Sequence, residues 1–342
     1  PEPLASEGRA ARAAGWCERL EADEAVRAAE PDWLVRPQAE PVEPNDPEYA
    51  RQWNLRVVGA PGAWSVTMGD PSIVVGVVDT GIVEHPDLEG QVEPGYDFIS
   101  DAGIAGDGTG RDPDPTDEGA ADRPSGRSSW HGTHVAAIVA GRANDGHGIT
   151  GLAPGCRVMP LRAVGRGGGF ASDVADAILF GAGLFTTEDG RRLPAALPIM
   201  NLSFAVDQDV EELRLACERA ANVGTLLVGT TGNTGGRVLY PAAYDSVLAV
   251  AAVDRRLETT AYSNFGPETA LSAPGGLKTE DAASVGWPDS VPSAVLDDTV
   301  HPAVPATEYL EGTSQAAPHV AAAAALLLSL DPSLSRADLI TY

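Results

Sequence analysis

Five runs of nearly uninterrupted aliphatic residues mark the chain: IVVGVVD (73–79), VMPLRAV (158–164), LPIMNLSF (197–204), TLLVGTT (225–231) and VLAVAAV (247–253). Between them lie stretches with the apolar spacing of helices, among them His134–Ala140, Ser172–Ala182 and Val210–Asn222. A strand with one wet face alternates apolar and polar residues. These runs are apolar on both faces, as strands are when helices cover a parallel sheet from each side. The expectation is an α/β fold, a doubly wound, mostly parallel sheet flanked by helices. Sites in such sheets form beyond the carboxyl ends of the strands. The residues that follow each run are therefore the ones to search for chemistry.

The first 44 residues break this pattern. They are rich in Ala, Glu and Arg, carry a short helical stretch around Cys17–Ala29, and end in PDWLVRPQAEPVEP. That proline-punctuated segment reads as an extended, cleavable linker, so the main domain is expected over residues 45–342. Within it, the Gly- and Asp-rich stretch Asp97–Asp122 reads as a long loop, either ordered by some partner or disordered.

Charge narrows the partners. Lys and Arg number 23 against 49 Asp and Glu, a net −26, and such a field repels nucleic acid and anionic membrane. It favours solubility, salt tolerance or bound divalent cations. Cys17, Cys156 and Cys217 show no CxxC spacing, which argues against zinc and leaves three buried thiols, or one disulfide and a spare thiol. The longest apolar run, Val320–Leu328, is far short of the ~20 residues that span a bilayer. A secreted protein is expected, with the signal peptide outside this chain.

The first aliphatic run ends in Asp79, followed by Thr80-Gly81. Alone, such a residue is usually a turn cap. In SSWHGTHVAAIVA, His131 sits just before a helix whose first turn is Gly132-Thr133-His134, and two histidines three apart could also hold a metal. In EGTSQAAPHVAAAAALLLSL, Ser314 stands at a helix start, where serine is commonly an N-cap. Asn233 follows the fourth run in a glycine-flanked turn, where a structural role is the ordinary reading. Together they read differently. A serine hydroxyl, an imidazole to take its proton, a carboxylate to hold that imidazole and an amide to meet an oxyanion are the parts of acyl transfer. The order Asp, His, Ser is that of subtilisin and differs from α/β-hydrolases and chymotrypsin.

VVDTGIVEHPDL, HGTHVA, TTGN and GTSQAAPHVA resemble the four blocks of the subtilisin-like serine protease (subtilase) family. NDPEYARQWNL, GITGLAP, IMNLSF, YPAAYDSVLAVAAV and YSNFGPETALSAPG extend the likeness over residues 44–342, and GYDFIS…GDGTGRDPDPTDEG is similar to a branch of secreted bacterial subtilases. The resemblance implies a serine endopeptidase with Asp79 as triad acid, His131 as general base, Ser314 as nucleophile and Asn233 as oxyanion donor. His134 becomes a structural histidine. Gly167, Gly168 and Gly169 of GRGGGF match the edge that pairs with substrate backbone. Ser203, Phe204, Ala205, Thr230, Thr231 and Gly232 match the walls of the substrate cleft. Three departures stand out: Thr230-Thr231 where the family usually has Ala-Ala, Ala205 where it has Gly, and Gln315 where Met is common.

The resemblance also implies a structural Ca2+ held by Asp46, Asp87 and Asn144 with carbonyls of ANDGHGIT. Asp112, Asp114, Asp117 and Glu118 form a weaker candidate for a second ion, or a plain acidic loop. Residues 1–44 resemble the last part of an inhibitory propeptide, the rival being a helical extension without that role. The expected partners are a peptide or protein substrate and the chain's own propeptide, the expected state is a monomer, and the family usually continues beyond Tyr342. A catalytically silent scaffold and a protease devoted to one substrate are the competing functions.

Overall fold

All five aliphatic runs become strands of one sheet. The computed structural model describes residues 41–342 except 124 and 279–286, together with 17, 19, 20, 22, 23 and 25–29. The chain divides into two units, Pro1–Glu40 and Pro41–Tyr342. The large sheet holds β1 (Val74–Asp79), β2 (Tyr96–Asp97), β3 (Arg157–Arg162), β4 (Ile199–Leu202), β5 (Leu226–Thr230), β6 (Val247–Val253) and β7 (Thr269–Pro274). Their order is β2-β3-β1-β4-β5-β6-β7, and every neighbouring pair is parallel. A separate antiparallel pair joins β8 (Val291–Asp297) to β9 (Val304–Leu310). The principal helices are α1 (His131–Ala140), α2 (Ala171–Gly181), α3 (Glu211–Asn222), α4 (Thr313–Leu330) and α5 (Arg336–Thr341).

Alternation along each strand sorts the side chains into two cores. Val75, Val77, Ile199, Leu226 and Val228 face α1 and α4. Val78, Met200, Leu202 and Leu227 face α2 and α3. Each fully buried aliphatic side chain contributes about 1.5–3 kcal/mol, so the continuous runs fix the sheet's position between two helical layers. After His131, every residue of α1 is buried, because the sheet lies on one side of it and the β8–β9 pair on the other. Ser293 of β8 donates to the His134 carbonyl at 2.7 Å.

β2, β7 and the β8–β9 pair were not legible as strands. β2 is two residues long. β7 is an edge strand whose central residues are exposed, and Pro292 and Pro305 interrupt the apolar pattern of β8 and β9. Cys17–Ala29 also departs from the expected helix. Cys17, Arg19 and Leu20 are helical, but the described residues from Ala22 to Ala29 are turns or irregular. There the Asp23 carboxylate takes the Ala25 N–H at 2.9 Å, a local bond that competes with helix. The rest of the expected linker before Pro41 lies outside the described residues. All three cysteines are free, with Cys156 and Cys217 buried and Cys17 partly exposed rather than buried. Among the described residues no helix is long and apolar enough to cross a membrane.

The acidic stretch Asp97–Asp122 is ordered, and arginines order it. Arg111 pairs with Asp173 and Asp176 of α2, each at 2.7 Å. Ser100 donates to Asp173 through its N–H and its hydroxyl, both at 3.0 Å. Arg162, 1% exposed at the end of β3, pairs with Asp97 and donates to the Thr80 and Ala105 carbonyls. Arg111→Ala therefore leaves the buried Asp173 carboxylate short of its cation. We expect a melting temperature lower by several degrees, since about 1–3 kcal/mol attaches to such a loss. Faster amide exchange over 98–122 should accompany it, and a stretch that exchanges as in wild type would show that Arg111 does not hold the loop.

Candidate active site

Asp79 is the last residue of β1 and is 3% exposed. A carboxylate stripped of water needs replacement donors. The Thr80 N–H supplies one to Oδ1 at 2.7 Å, and His131 Nδ1 supplies another to the same oxygen at 2.7 Å. Nδ1 must carry the hydrogen to face a carboxylate, which leaves Nε2 as the basic nitrogen. The approach of strand end to helix start requires glycine. A Cβ on Gly132 would stand 2.2 Å from the Gly81 carbonyl oxygen. The Thr80 hydroxyl joins the two segments, accepting the Gly132 N–H at 2.9 Å and donating to Asp117 at 2.6 Å.

Negative charge surrounds the imidazole. Asp117 is buried beside Asp79, and burial pushes its carboxyl up to about 6. Asp122 accepts from Ser129 through N–H at 2.7 Å and hydroxyl at 2.6 Å. For His131, burial opposes protonation, but Asp79 foremost, then Asp122 and Asp117, outweigh it and raise its pKa. His134 behaves oppositely. Burial drives it down to about 3, and its Nε2 meets the Glu308 carbonyl at 3.3 Å, so it stays a neutral packing residue.

Ser314 occupies the second position of α4. Four residues later Pro318 has no N–H to give, so the Ser314 carbonyl lacks its helical donor. Ser203 fills the gap, its hydroxyl donating to that carbonyl at 2.9 Å, while Ser314 Oγ donates to the Ser203 carbonyl at 3.1 Å. The Ser314 hydroxyl therefore rests on Ser203 and not on His131, and it would have to turn to meet the imidazole. Free-state catalytic contacts commonly loosen in this way. Around Ser314, the Thr313 N–H goes to Asn233 Oδ1 at 2.8 Å and the Gln315 N–H to the Gly312 carbonyl at 3.1 Å. The Ser314 N–H between them is left for a ligand, as first-turn donors are. Asn233 Oδ1 takes the Thr313 hydroxyl as well, at 2.8 Å. Its Nδ2 is then the half left for an oxyanion.

The other expected residues divide. Gly165 and Gly168 bond to each other in a tight bridge, with open space around Gly167 and Gly168. Phe204 is half-buried and Ala205 exposed. Thr230 is buried, with its hydroxyl on Thr313, and Thr231 is buried with its hydroxyl unbonded. Asp112, Asp114 and Asp117 accept from Asp114, Thr116 and Gly119 amides respectively, so they serve local turns and do not converge on an ion.

At the expected calcium position, Asp46 accepts from the Asn144, Asp145 and Gly146 amides at 2.9, 3.1 and 3.3 Å. Asp87 Oδ2 accepts from Ile149 at 3.0 Å, while its Oδ1 is buried without a partner. Asn144 turns its side-chain oxygen to the Asn45 N–H at 3.2 Å, and the charge near Asp46 and Asp87 comes instead from Asp145. Among the described residues no three His, Cys, Asp or Glu side chains gather as a metal centre. The orphaned Asp87 oxygen in a setting of carboxylates and loop backbone fits a hard cation that also takes carbonyl oxygen.

A model of the subtilase family matches residues 70–341. The chain belongs to the subtilase family. It is similar to an extracellular protease of Xanthomonas campestris pv. campestris, 36% identical over 349 residues that cover 92% of this chain and 57% of that protein. A halolysin-like extracellular serine protease, Nep, of Natrialba magadii is 38% identical over 304 residues, 86% of this chain and 47% of that protein. The solved structure of a protease from Pseudoalteromonas arctica superposes with a TM-score of 0.81 at 33% identity, covering 88% of this chain and 91% of that one. The chain thus spans about half the length of the curated relatives it matches.

Beyond the four blocks, this subtilase places at its site several groups that motif reading passed over. Arg162 was visible as a lone charge inside an aliphatic run, an arrangement that demands a buried partner. Thr80 and Thr313 were visible only as motif neighbours of Asp79 and Ser314. Asp122 carried no local signal, since it reaches the site by loop folding. Asp117→Asn keeps an acceptor for Thr80 and removes a buried charge. A carboxyl raised to about 6 when folded costs the fold stability progressively as pH rises from about 3.9, where the unfolded group ionises, and in full above about 6. The variant should melt higher than wild type at pH 8 and show no such gain at pH 4. Its kcat/KM acid limb should move to lower pH, because His131 loses a neighbouring anion. An unshifted limb would show that Asp117 does not act on the imidazole.

Proposed function

We propose that this chain is the catalytic unit of an extracellular serine endopeptidase. The observation that carries the reading is the Asp79–His131 bond at 2.7 Å, set on the same sheet edge as a helix-start serine whose N–H is open beside a locked asparagine amide. Ser314 Oγ attacks the substrate carbonyl while His131 Nε2 takes its proton. Asn233 Nδ2 and the Ser314 N–H hold the developing oxyanion, the C–N bond breaks, and His131 returns the proton to the leaving amine. Water then opens the acyl ester by the same steps. Relatives named as extracellular proteases support the location. In this reading the chain works as a monomer on peptides or proteins, and the division at Glu40 supports residues 1–44 as the end of its own propeptide.

Two variants test it. Ser314→Ala should abolish peptide hydrolysis and fluorophosphonate labelling with the melt unchanged, and retained hydrolysis would remove Ser314 from the reaction. Asn233→Ala should lower kcat about 100- to 1000-fold, the size established for loss of one such donor in subtilisin. KM should barely move, since the contact exists only in the transition state.

For calcium, Asp46, Asp87 and the 144–149 loop backbone would hold the ion, which supplies charge compensation and no chemistry. Millimolar Ca2+ should raise the melting temperature over excess chelator, with about 2.7 kcal/mol available at 100 times Kd. Sodium at equal ionic strength should do much less, and Asp87→Asn should blunt the response. Coincident melts with and without Ca2+ would remove the metal from this reading.

A further inference from the structure

The family departure at Thr230 has a structural use. Thr230 ends β5 and is 2% exposed. Its hydroxyl donates to the hydroxyl of Thr313, which is fully buried. Thr313 Oγ1 also accepts the Gly232 N–H at 3.2 Å and donates its own hydrogen to Asn233 Oδ1 at 2.8 Å. A hydroxyl has one hydrogen and two lone pairs. With both lone pairs filled from Thr230 and Gly232, the Thr313 hydrogen has one acceptor left, and that is Asn233. Asn233 Oδ1 is filled in turn by the Thr313 N–H and hydroxyl. Only the amide nitrogen then remains for substrate.

We propose that Thr230 is a positioning residue for the oxyanion hole. Its hydroxyl fixes the direction of the Thr313 hydroxyl and, through it, the orientation of the Asn233 amide before substrate arrives. An alanine or valine at 230 leaves one Thr313 lone pair open and gives that hydroxyl other rotamers. The adjacent Thr231, whose hydroxyl makes no bond, has no part in this chain. The inference rests on Asn233 as oxyanion donor, and it replaces the reading of Thr230 as a wall that sets substrate side-chain preference.

The test compares Thr230→Val, Thr230→Ser, Asn233→Ala and the double variant Thr230→Val/Asn233→Ala. Each is assayed on peptide amides with small and large P1 residues and against a peptide boronate. Thr230→Val should lower kcat about 5-fold, the factor expected for one buried hydrogen bond acting on orientation, with KM unchanged at both P1 sizes. Boronate affinity should fall by the same factor, and Thr230→Ser should restore both. In the Asn233→Ala background, Thr230→Val should have no further effect on kcat. A P1-dependent change in KM with kcat intact would make Thr230 a pocket wall and overturn the proposal. Equal kcat losses with and without Asn233 would do the same, as would failure of Thr230→Ser to rescue. If Asn233→Ala itself leaves kcat intact, the oxyanion assignment fails and the proposal falls with it. A wild-type Thr230→Val beside a crippled Asn233→Ala sinks the proposal alone.

Discussion

The site rests on one electrostatic problem, a carboxylate buried at the carboxyl end of a central strand. Asp79 needs donors there in place of water, and the nearest are the Thr80 amide and the His131 ring. That need sets the imidazole's tautomer and brings the start of α1 against the end of β1, where only glycine at 132 fits. The surrounding acids then set the charge around the ring. Asp79 foremost, then Asp122 and Asp117, hold the imidazole's proton affinity up despite burial, while Arg162 binds Asp97 and the Thr80 carbonyl. A chain with net charge −26 thus spends some of its scarce cations at this edge.

The start of α4 solves a second problem, that of keeping donors free. Helix starts expose N–H groups, and Pro318 additionally frees a carbonyl in the first turn. Three of the groups around Ser314 have side-chain or cap partners, and the Ser314 N–H itself stays open. Ser203 closes the carbonyl, Asn233 takes the Thr313 amide, and Gly312 takes that of Gln315. Ser314 is therefore held by its backbone, and its hydroxyl keeps only the bond to the Ser203 carbonyl.

The sheet was legible because burial on both faces writes a continuous apolar run, and all five runs were found. What stayed hidden was structure whose burial comes from distant neighbours. β7 is an exposed edge, β8 is buried because α1 lies beneath it, and β9 stays exposed or half-buried. The four chemical blocks were legible as well, since each pairs a reactive residue with glycine at a strand or helix end. Their supports were not. Asp97–Asp122 was read as needing a partner or being disordered, and the partners are Arg111 and Arg162, one inside the stretch and the other 65 residues beyond Asp97. Asn144 was expected to offer its side chain to an ion, but its backbone serves Asp46 and its side chain serves Asn45. Sequence shows which residue is present and leaves open which of its polar atoms is used.

The contacts that build the site join residues far apart along the chain. Asp79 and His131 are separated by 52 positions, Asn233 and Thr313 by 80, and Ser203 and Ser314 by 111. Closing such loops costs entropy that local helices do not recover. The Ser314 hydroxyl and the Ser203 carbonyl meet only where α4 packs against the end of β4. The geometry around Ser314 is thus a property of the assembled sheet and helices, and no isolated segment of the chain contains it.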